Sequence, residues 1–488
     1  PEINQNVSSD DKEMSIPVVT QCSLQNPSKI LLSTAIIHVE DSRGKAHACR
    51  ALLDSGSQLN FVTEDFAKST IDDLNKAISK FWQVEDNYRH NTNVFSPEEL
   101  ACETLFQEST LRNDEGRFIV KLPIRNDIIS QVGESREIAE RRFFALERRL
   151  SKQPDIYEEY RRFMREYQDL NHMNPIEVTA EHDNNIQYYL PHHAVLNNTS
   201  TTTKPRVVFD ASCKSKSGKS LNDALLVGPT IQQDLFSILS RFRTFRFAMT
   251  ADIAKMYRQV LVDPSQRCLQ RIFWRDTPQH KLKTFELATI TYGTASASFL
   301  AIHCLQELAQ EGSTLFPIGS KIILRDFYVD DMLTGASTLN EALHIKEQTM
   351  ALLQKGGFKL RKWFSNNSLL QDECLAIDKE IDAGNECDKT RALGVFWNCK
   401  RDTFNFVNSN NYQSSIKPTK RNILARIASI FDPLGFLGPV IVVGKLIMQE
   451  LWLLKIDWDE SIPMDLITKW QDYEQQLKCL SNIEIPAR

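Results

Sequence analysis

The chain has 488 residues, enough for roughly three ordinary domains of about 150 residues each. Its 42% hydrophobic and 25% charged residues exclude collagen-like, low-complexity and wholly disordered classes. The net charge of −5 excludes a uniformly basic nucleic-acid binder but hides an imbalance: residues 204–283 carry fifteen Lys and Arg against six Asp and no Glu, an excess of nine positive charges that leaves −14 on the rest. Such a basic stretch suits a polyanion surface, although a solvated face without a partner has the same composition. The ten cysteines include no CxxC pair, so an intracellular, cytoplasmic compartment is expected rather than a zinc or disulfide framework. No basic stretch followed by an apolar run opens the chain, so no secretory leader is expected. The longest uncharged apolar stretch, residues 433–444, contains two Pro and falls well short of the roughly 20 residues that span a bilayer.

Residues 1–27 are polar and aperiodic and read as a lead segment. The runs 30–39 and 46–53, separated by a turn at Asp41-Ser42-Arg43-Gly44, predict a hairpin that leads into Asp54-Ser55-Gly56-Ser57. Helical patterning is expected from about Ile71, and a turn at Asn113-Asp114-Glu115-Gly116 leads into a strand over 117–123. Residues 137–150 and 157–170 place aromatic and aliphatic side chains three and four apart, predicting two amphipathic helices. From Ile186 onward strands are expected at 188–196, 206–212, 247–253, 271–274 and 285–291, with helices at 233–242 and 295–310. The class is α+β. A hairpin centred on Asp330-Asp331 is expected to have strand arms over 322–329 and 332–336.

That hairpin carries the strongest chemical signal. Tyr328-Val329-Asp330-Asp331 puts two carboxylates at the tip of an apolar hairpin, and Asp252 lies at the end of another strand-like run. Three carboxylates around one point repel unless they hold cations, and hard oxygen ligands suit Mg²⁺. Two such ions activate an attacking hydroxyl and stabilise a departing phosphate oxygen. An Asp pair by itself says less, since Asp10-Asp11 and Asp72-Asp73 read as solvated turns.

Other segments supply company in a fixed order. Residues of about 188–450 resemble the reverse transcriptase of Bel/Pao-type LTR retrotransposons. Asp252 and Tyr257 resemble the first palm motif, and Tyr328-Val329-Asp330-Asp331 the polymerase hairpin. The stretch from Tyr292 and Gly293 to Phe299 is similar to the helix-opening segment under template and nucleotide. Lys204-Pro205-Arg206 resembles the fingers strand, and Leu393-Gly394-Val395-Phe396-Trp397 the primer grip. The resemblance implies a right-hand polymerase of fingers, palm and thumb that copies an RNA or DNA template from a primer with deoxynucleoside triphosphates. Asp252, Asp330 and Asp331 would bind two Mg²⁺ ions; Lys204 and Arg206 would hold the triphosphate. Tyr257 would exclude a 2′-hydroxyl, Gly293 would admit the nucleotide, and Lys362 would protonate the leaving pyrophosphate.

Leu52-Leu53-Asp54-Ser55-Gly56 resembles the catalytic loop of a retropepsin-like aspartic protease, which works as a dimer with one Asp from each subunit. No Gly-rich flap or later Gly-containing core strand follows, so the protease reads as truncated and Asp54, Ser55 and Gly56 as vestigial. The expected organisation is a lead segment (1–27), a truncated all-β retropepsin-like segment (28–70), a helical connector (71–185), fingers and palm (186–410) and a thumb or connection (411–488). An RNase H domain is expected to begin about where the chain stops. Two other readings are a catalytically dead nucleic-acid-binding relic and an aspartic endopeptidase. No membrane partner is expected, the protein would be particle-associated if the element is intact, and its oligomeric state is left open.

Overall fold

The computed structural model describes residues 34–40, 46–52, 95–177, 186–196, 205–371, 389–392, 395–406 and 418–488. Helix makes up 46% of the chain and strand 18%, and among the described strand pairs one alone is parallel, so the class is α+β. Two units are present: residues 1–94 with 415–475, and residues 95–414 with 476–488. In the first, β1 (Thr34–Glu40) and β2 (Ala46–Leu52) form the expected antiparallel hairpin.

The second unit opens with α1 (Pro97–Ser109), which starts where Pro97 occupies the first turn and Ser96 and Glu99 cap each other reciprocally. Strands β3 (Leu111–Arg112) and β4 (Phe118–Val120) pair across the expected turn. The two predicted amphipathic helices are α2 (Arg136–Leu150) and α3 (Pro154–Asp169). On α3, Tyr157, Tyr160, Met164 and Tyr167 recur three and four apart and are all buried. Strands β5 (Met173–Ile176), β6 (His192–Leu196) and β7 (Pro205–Phe209) follow, the last two paired antiparallel.

Helix α4 (Leu235–Phe242), capped by Asp234, precedes β8 (Phe247–Ile253). Then come a single turn, α5 (Met256–Gln259), and β9 (Leu261–Val262), β10 (Arg271–Trp274) and β11 (Lys283–Leu287). The strand expected over 285–291 ends at Leu287. Strand β4 pairs in parallel with β9, and β11 lies between β10 and β5. One core joins these parts: Tyr160 stacks on Trp274 with ring centroids 5.4 Å apart, and Tyr167 lies 5.7 Å from Phe209. The helices read as a connector therefore share their apolar interior with the strands that follow residue 186.

Helices α6 (Ala297–Glu311) and α7 (Pro317–Arg325) lead to β12 (Phe327–Tyr328), β13 (Asp331–Ala336), α8 (Leu339–Lys355) and β14 (Leu360–Ser365). The hairpin arm expected over 322–329 is corrected here: its first residues belong to α7, and two residues alone form the arm. Pro317 starts that helix, and burial of Ile322 and Ile323 among α6 and α8 overrides the strand preference of a β-branched run. The four strands form an antiparallel sheet in the order β12-β13-β8-β14. The central strand β8 is buried almost throughout, as covering on both faces requires, and its burial breaks at Asp252.

Farther on, β15 (Lys389–Ala392), β16 (Val395–Asn398) and β17 (Thr403–Asn405) form a meander. In the first unit, α9 (Lys420–Ala428), α10 (Gly438–Leu453) and α11 (Met464–Gln476) follow, and Lys420 is buried with its ammonium 3.4 Å from the Trp452 ring centre. Strand β18 (Glu484–Pro486) pairs with β17 inside the second unit. Among the described residues no helix is long and apolar enough to cross a membrane.

Candidate active site

Antiparallel register sets the carboxylates. Asp331 at the start of β13 lies directly opposite Asp252 on β8, and opposed residues project from the same face with Cβ atoms about 5 Å apart. Asp252 does not end its strand, because Ile253 continues it and its N–H donates to the Asp330 carbonyl at 2.8 Å. That bond ties the hairpin tip to the central strand. At the tip Val329 adopts φ 54°, and its N–H donates to Gln232 Oε1 at 3.0 Å. A β-branched residue in the left-handed region is strained by about 1–3 kcal/mol, and such strain collects where geometry serves a function. Of the six described non-glycine residues at positive φ, Lys255, Val329 and Lys362 all border these carboxylates.

On the other side of Asp252 stands Arg361, its register partner on β14. Arg361 Nε donates to Asp252 Oδ1 at 2.8 Å and Nη2 to Oδ2 at 3.3 Å. Consecutive strand residues normally face opposite ways, yet Lys362 Nζ also approaches Asp252 Oδ2, at 3.7 Å. A register shift after Arg361, with Lys362 at φ 53°, is the reason: a bulge re-aims the side chain. The row Asp331, Asp252, Arg361 thus crosses three strands of one sheet face.

Burial pushes the Asp330 carboxyl above the ordinary range; the charge of Asp252 adds to this, while Arg361 and Lys362 work against it. The folded chain therefore holds that proton more tightly than the unfolded chain does. The linked stability is present at low pH and lost as pH rises through the raised value. In EDTA, Asp330→Asn is accordingly expected to stabilise the protein by about 1 kcal/mol at neutral pH, as removal of a functionally placed charge often does. Melting curves at pH 4 and pH 8 check this, the gain shrinking at the acid end. Equal melting temperatures for variant and parent at pH 8 would refute it.

Three of the residues expected to face a nucleotide, Arg206, Tyr292 and Gly293, lie at β7. Tyr292 donates its hydroxyl to the Val207 carbonyl at 2.7 Å, and burial raises its phenol while the Arg206 charge opposes this. Arg206 is exposed on β7. Gly293 has φ 103°, and a Cβ there would stand 2.5 Å from the Phe209 carbonyl oxygen, so no other residue fits without moving a strand. Tyr257 shares its hydroxyl with Ser298 Oγ at 3.2 Å, joining the turn after β8 to α6. Lys204, Leu393, Gly394, Asp54, Ser55 and Gly56 lie outside the described residues.

Three residues that sequence reasoning missed hold this arrangement. Arg361 lies beside the singled-out Lys362, but its partner is 109 residues away. Asn222 grips the turn after Tyr292, donating to the Gly293 carbonyl at 2.9 Å and accepting from Ala295 N–H at 2.8 Å. A capping box between Ser220 and Asp223 was the available signal near it. Asp326, fully buried, accepts from Arg241 Nε at 3.0 Å, from Arg325 at 2.8 Å and from Thr334 Oγ1 at 2.7 Å, anchoring the base of the hairpin.

Among the described residues no three His, Cys, Asp or Glu side chains are gathered closely enough to hold a metal. The donor set nevertheless fits a hard divalent cation: two carboxylates are opposed on one sheet face, a third beside them is raised by burial first and then by the charge of Asp252, and Arg361 and Lys362 stand at Asp252 where positive charge is favoured.

Residues 419–488 match the family model described as Pao retrotransposon-like RNaseH-like domain. That is the segment expected to be thumb or connection, with RNase H-like sequence expected only past Arg488. The match supports a Pao-type retroelement polyprotein and does not extend to the reverse transcriptase region. No curated protein matches the chain.

Proposed function

We propose that the chain is an RNA-directed DNA polymerase, part of a Pao/Bel-type retrotransposon polyprotein, with residues 186–410 as fingers and palm. The observation that carries this is the pairing of Asp331 with Asp252, with Asp330 hydrogen-bonded through its backbone to the same strand. The retroelement match at 419–488 supports it from outside the site and favours a nucleic-acid-processing enzyme. Several cations of the basic stretch 204–283, among them Arg241, Arg258, Arg271 and Arg275, are paired within the fold, while Arg206, Lys214, Arg246, Lys281 and Lys283 are exposed and supply cations for phosphate contacts, so binding of template and primer should weaken with salt.

In this reading Asp252, Asp330 and Asp331 hold two Mg²⁺, which supply Lewis-acid activation of the primer 3′-hydroxyl and charge neutralisation at the departing phosphate when bound. Arg361 and Lys362 hold Asp252 in its row until then, and Lys362 is the proton donor to pyrophosphate. Arg206 and Lys204 bind the triphosphate, Gly293 admits the nucleotide, and Leu393 and Gly394 grip the primer. The partners are an RNA or DNA template with its primer and deoxynucleoside triphosphates, in an intracellular setting. The segments 1–27, 28–70 and 71–185 are a lead, a vestigial protease unit and a connector, of which α2 and α3 complete the polymerase core.

Primer extension on poly(rA) with an oligo(dT) primer, dTTP and Mg²⁺ tests the reading. Extension supports it; a chain that binds primer–template without extending it is the relic instead. Tyr257 should exclude ribonucleotides by its ring, so Tyr257→Ala is expected to raise UTP use relative to dTTP by on the order of a hundredfold. An unchanged ratio would remove Tyr257 from that role.

A further inference from the structure

The turn between Asp252 and Tyr257 has two bonds of its own, from Arg258 N–H to the Lys255 carbonyl at 2.8 Å and from Gln259 Nε2 to the Ala254 carbonyl at 3.2 Å, and a tether from elsewhere in the chain. Lys255 sits in the left-handed region at φ 54°, a conformation a lysine adopts only when something retains it. The tether comes from α3, 89 residues earlier: Lys255 Nζ donates to Glu166 Oε1. The same carboxylate oxygen lies 3.0 Å from Arg258 Nη2, an ion pair with a guanidinium that is nearly fully buried. Burial opposes ionisation of Glu166, but Lys255 and Arg258 outweigh it and keep the carboxyl below its ordinary range.

Arg258 is fixed on its other sides too. Its Nε donates to His172 Nδ1 at 2.8 Å, and its guanidinium lies 4.3 Å from the Tyr167 ring centre. Burial first, then Arg258, Arg117 and Lys255, push His172 down to about 3, so its ring stays neutral and able to accept. Arg117 in turn donates to the Arg258 and Gln259 carbonyls, both at 2.9 Å. Tyr257 lies between the two cations that Glu166 binds.

We propose that Glu166 is a positioning residue for nucleotide selection: by pairing with Lys255 and Arg258 it fixes the turn that aims the Tyr257 ring. This rests on the polymerase reading above. Glu166 touches no reacting atom, and its effect passes through the two basic side chains. Removing its charge takes away the side-chain tether of Lys255 and leaves only the bonds within the turn to resist the left-handed strain, which lets Tyr257 shift; a shift of about 1 Å at a positioning group lowers selection by up to about a hundredfold.

The test is steady-state primer extension on poly(rA) and oligo(dT) with the full chain, comparing parent, Glu166→Gln, Glu166→Asp and Lys255→Met, with dTTP and UTP as competing substrates. Expected are folded variants, a KM for dTTP raised about tenfold in Glu166→Gln with kcat less affected, and a similar loss of preference for dTTP over UTP. Glu166→Asp should restore part of both. Lys255→Met keeps the strain of a left-handed L residue but lacks the tether, so it should reproduce the loss even if Glu166→Gln does not fold. An unchanged KM and preference in Glu166→Gln, or a fall in kcat alone, overturns the proposal while the polymerase reading stands. A parent chain that extends no primer overturns both.

Discussion

Replacing Asp330 and Asp331 together by Asn is expected to lower nucleotide incorporation by at least about three orders of magnitude, while primer–template binding changes less than about twofold. The asymmetry follows from where the charges lie. Cation ligation contributes several kcal/mol to the transition state, and each 1.4 kcal/mol is about tenfold in rate. Template binding instead draws on the basic stretch 204–283, to which these side chains contribute nothing favourable. Asn keeps the shape of Asp, so the bond from Ile253 N–H to the residue-330 carbonyl survives and the hairpin stays docked. Filter binding and single-turnover extension on one preparation separate the two quantities. Retained extension in the double variant would leave the carboxylates without their assigned role.

The largest loss of stability is expected from Asp326→Ala, about 3 kcal/mol, or roughly a 6 °C fall in melting temperature. Asp326 is fully buried and is the shared acceptor of Arg241, Arg325 and Thr334. Its removal strands two guanidinium groups, but these are partly exposed and water recovers some of the loss. Because the Asp326 carbonyl also accepts from Leu333 N–H, which is backbone and remains, the hairpin loosens rather than detaches. Asp326→Asn keeps the volume and an acceptor, and should fall between parent and Ala. A melting temperature for the Ala variant within about 1 °C of the parent would show that the anchor is elsewhere.

What was readable in the sequence was local. Asp330 and Asp331 stand out because adjacent carboxylates interrupt an apolar run, and α2 and α3 because their aromatic and aliphatic residues recur three and four apart. What was not readable depends on partners far along the chain. The pairing of Arg361 with Asp252 depends on the register of two strands 109 residues apart, and Lys362 joins it only because a bulge turns it to the same face; nothing in Leu360-Arg361-Lys362-Trp363 marks a bulge. The run Ile322-Ile323-Leu324 looked like a strand because its residues favour one; packing between α6 and α8 made it a helix. Glu166 looked like one more charge on an amphipathic face, and its meaning comes from a turn 89 residues later.

The parallel pairing of β4 with β9 bears on how the chain matures on the ribosome. Val120 meets Val262, so β4, paired until then with β3 alone, must wait for 142 further residues before its parallel partner exists, and the Met173 strand waits almost as long for Leu287. At ordinary elongation rates that interval is on the order of ten seconds, during which the aromatic faces of α2 and α3 have no interior to enter. A nascent chain with that much uncovered apolar surface is a natural client for chaperones, and its yield should depend more on them than its final stability would suggest.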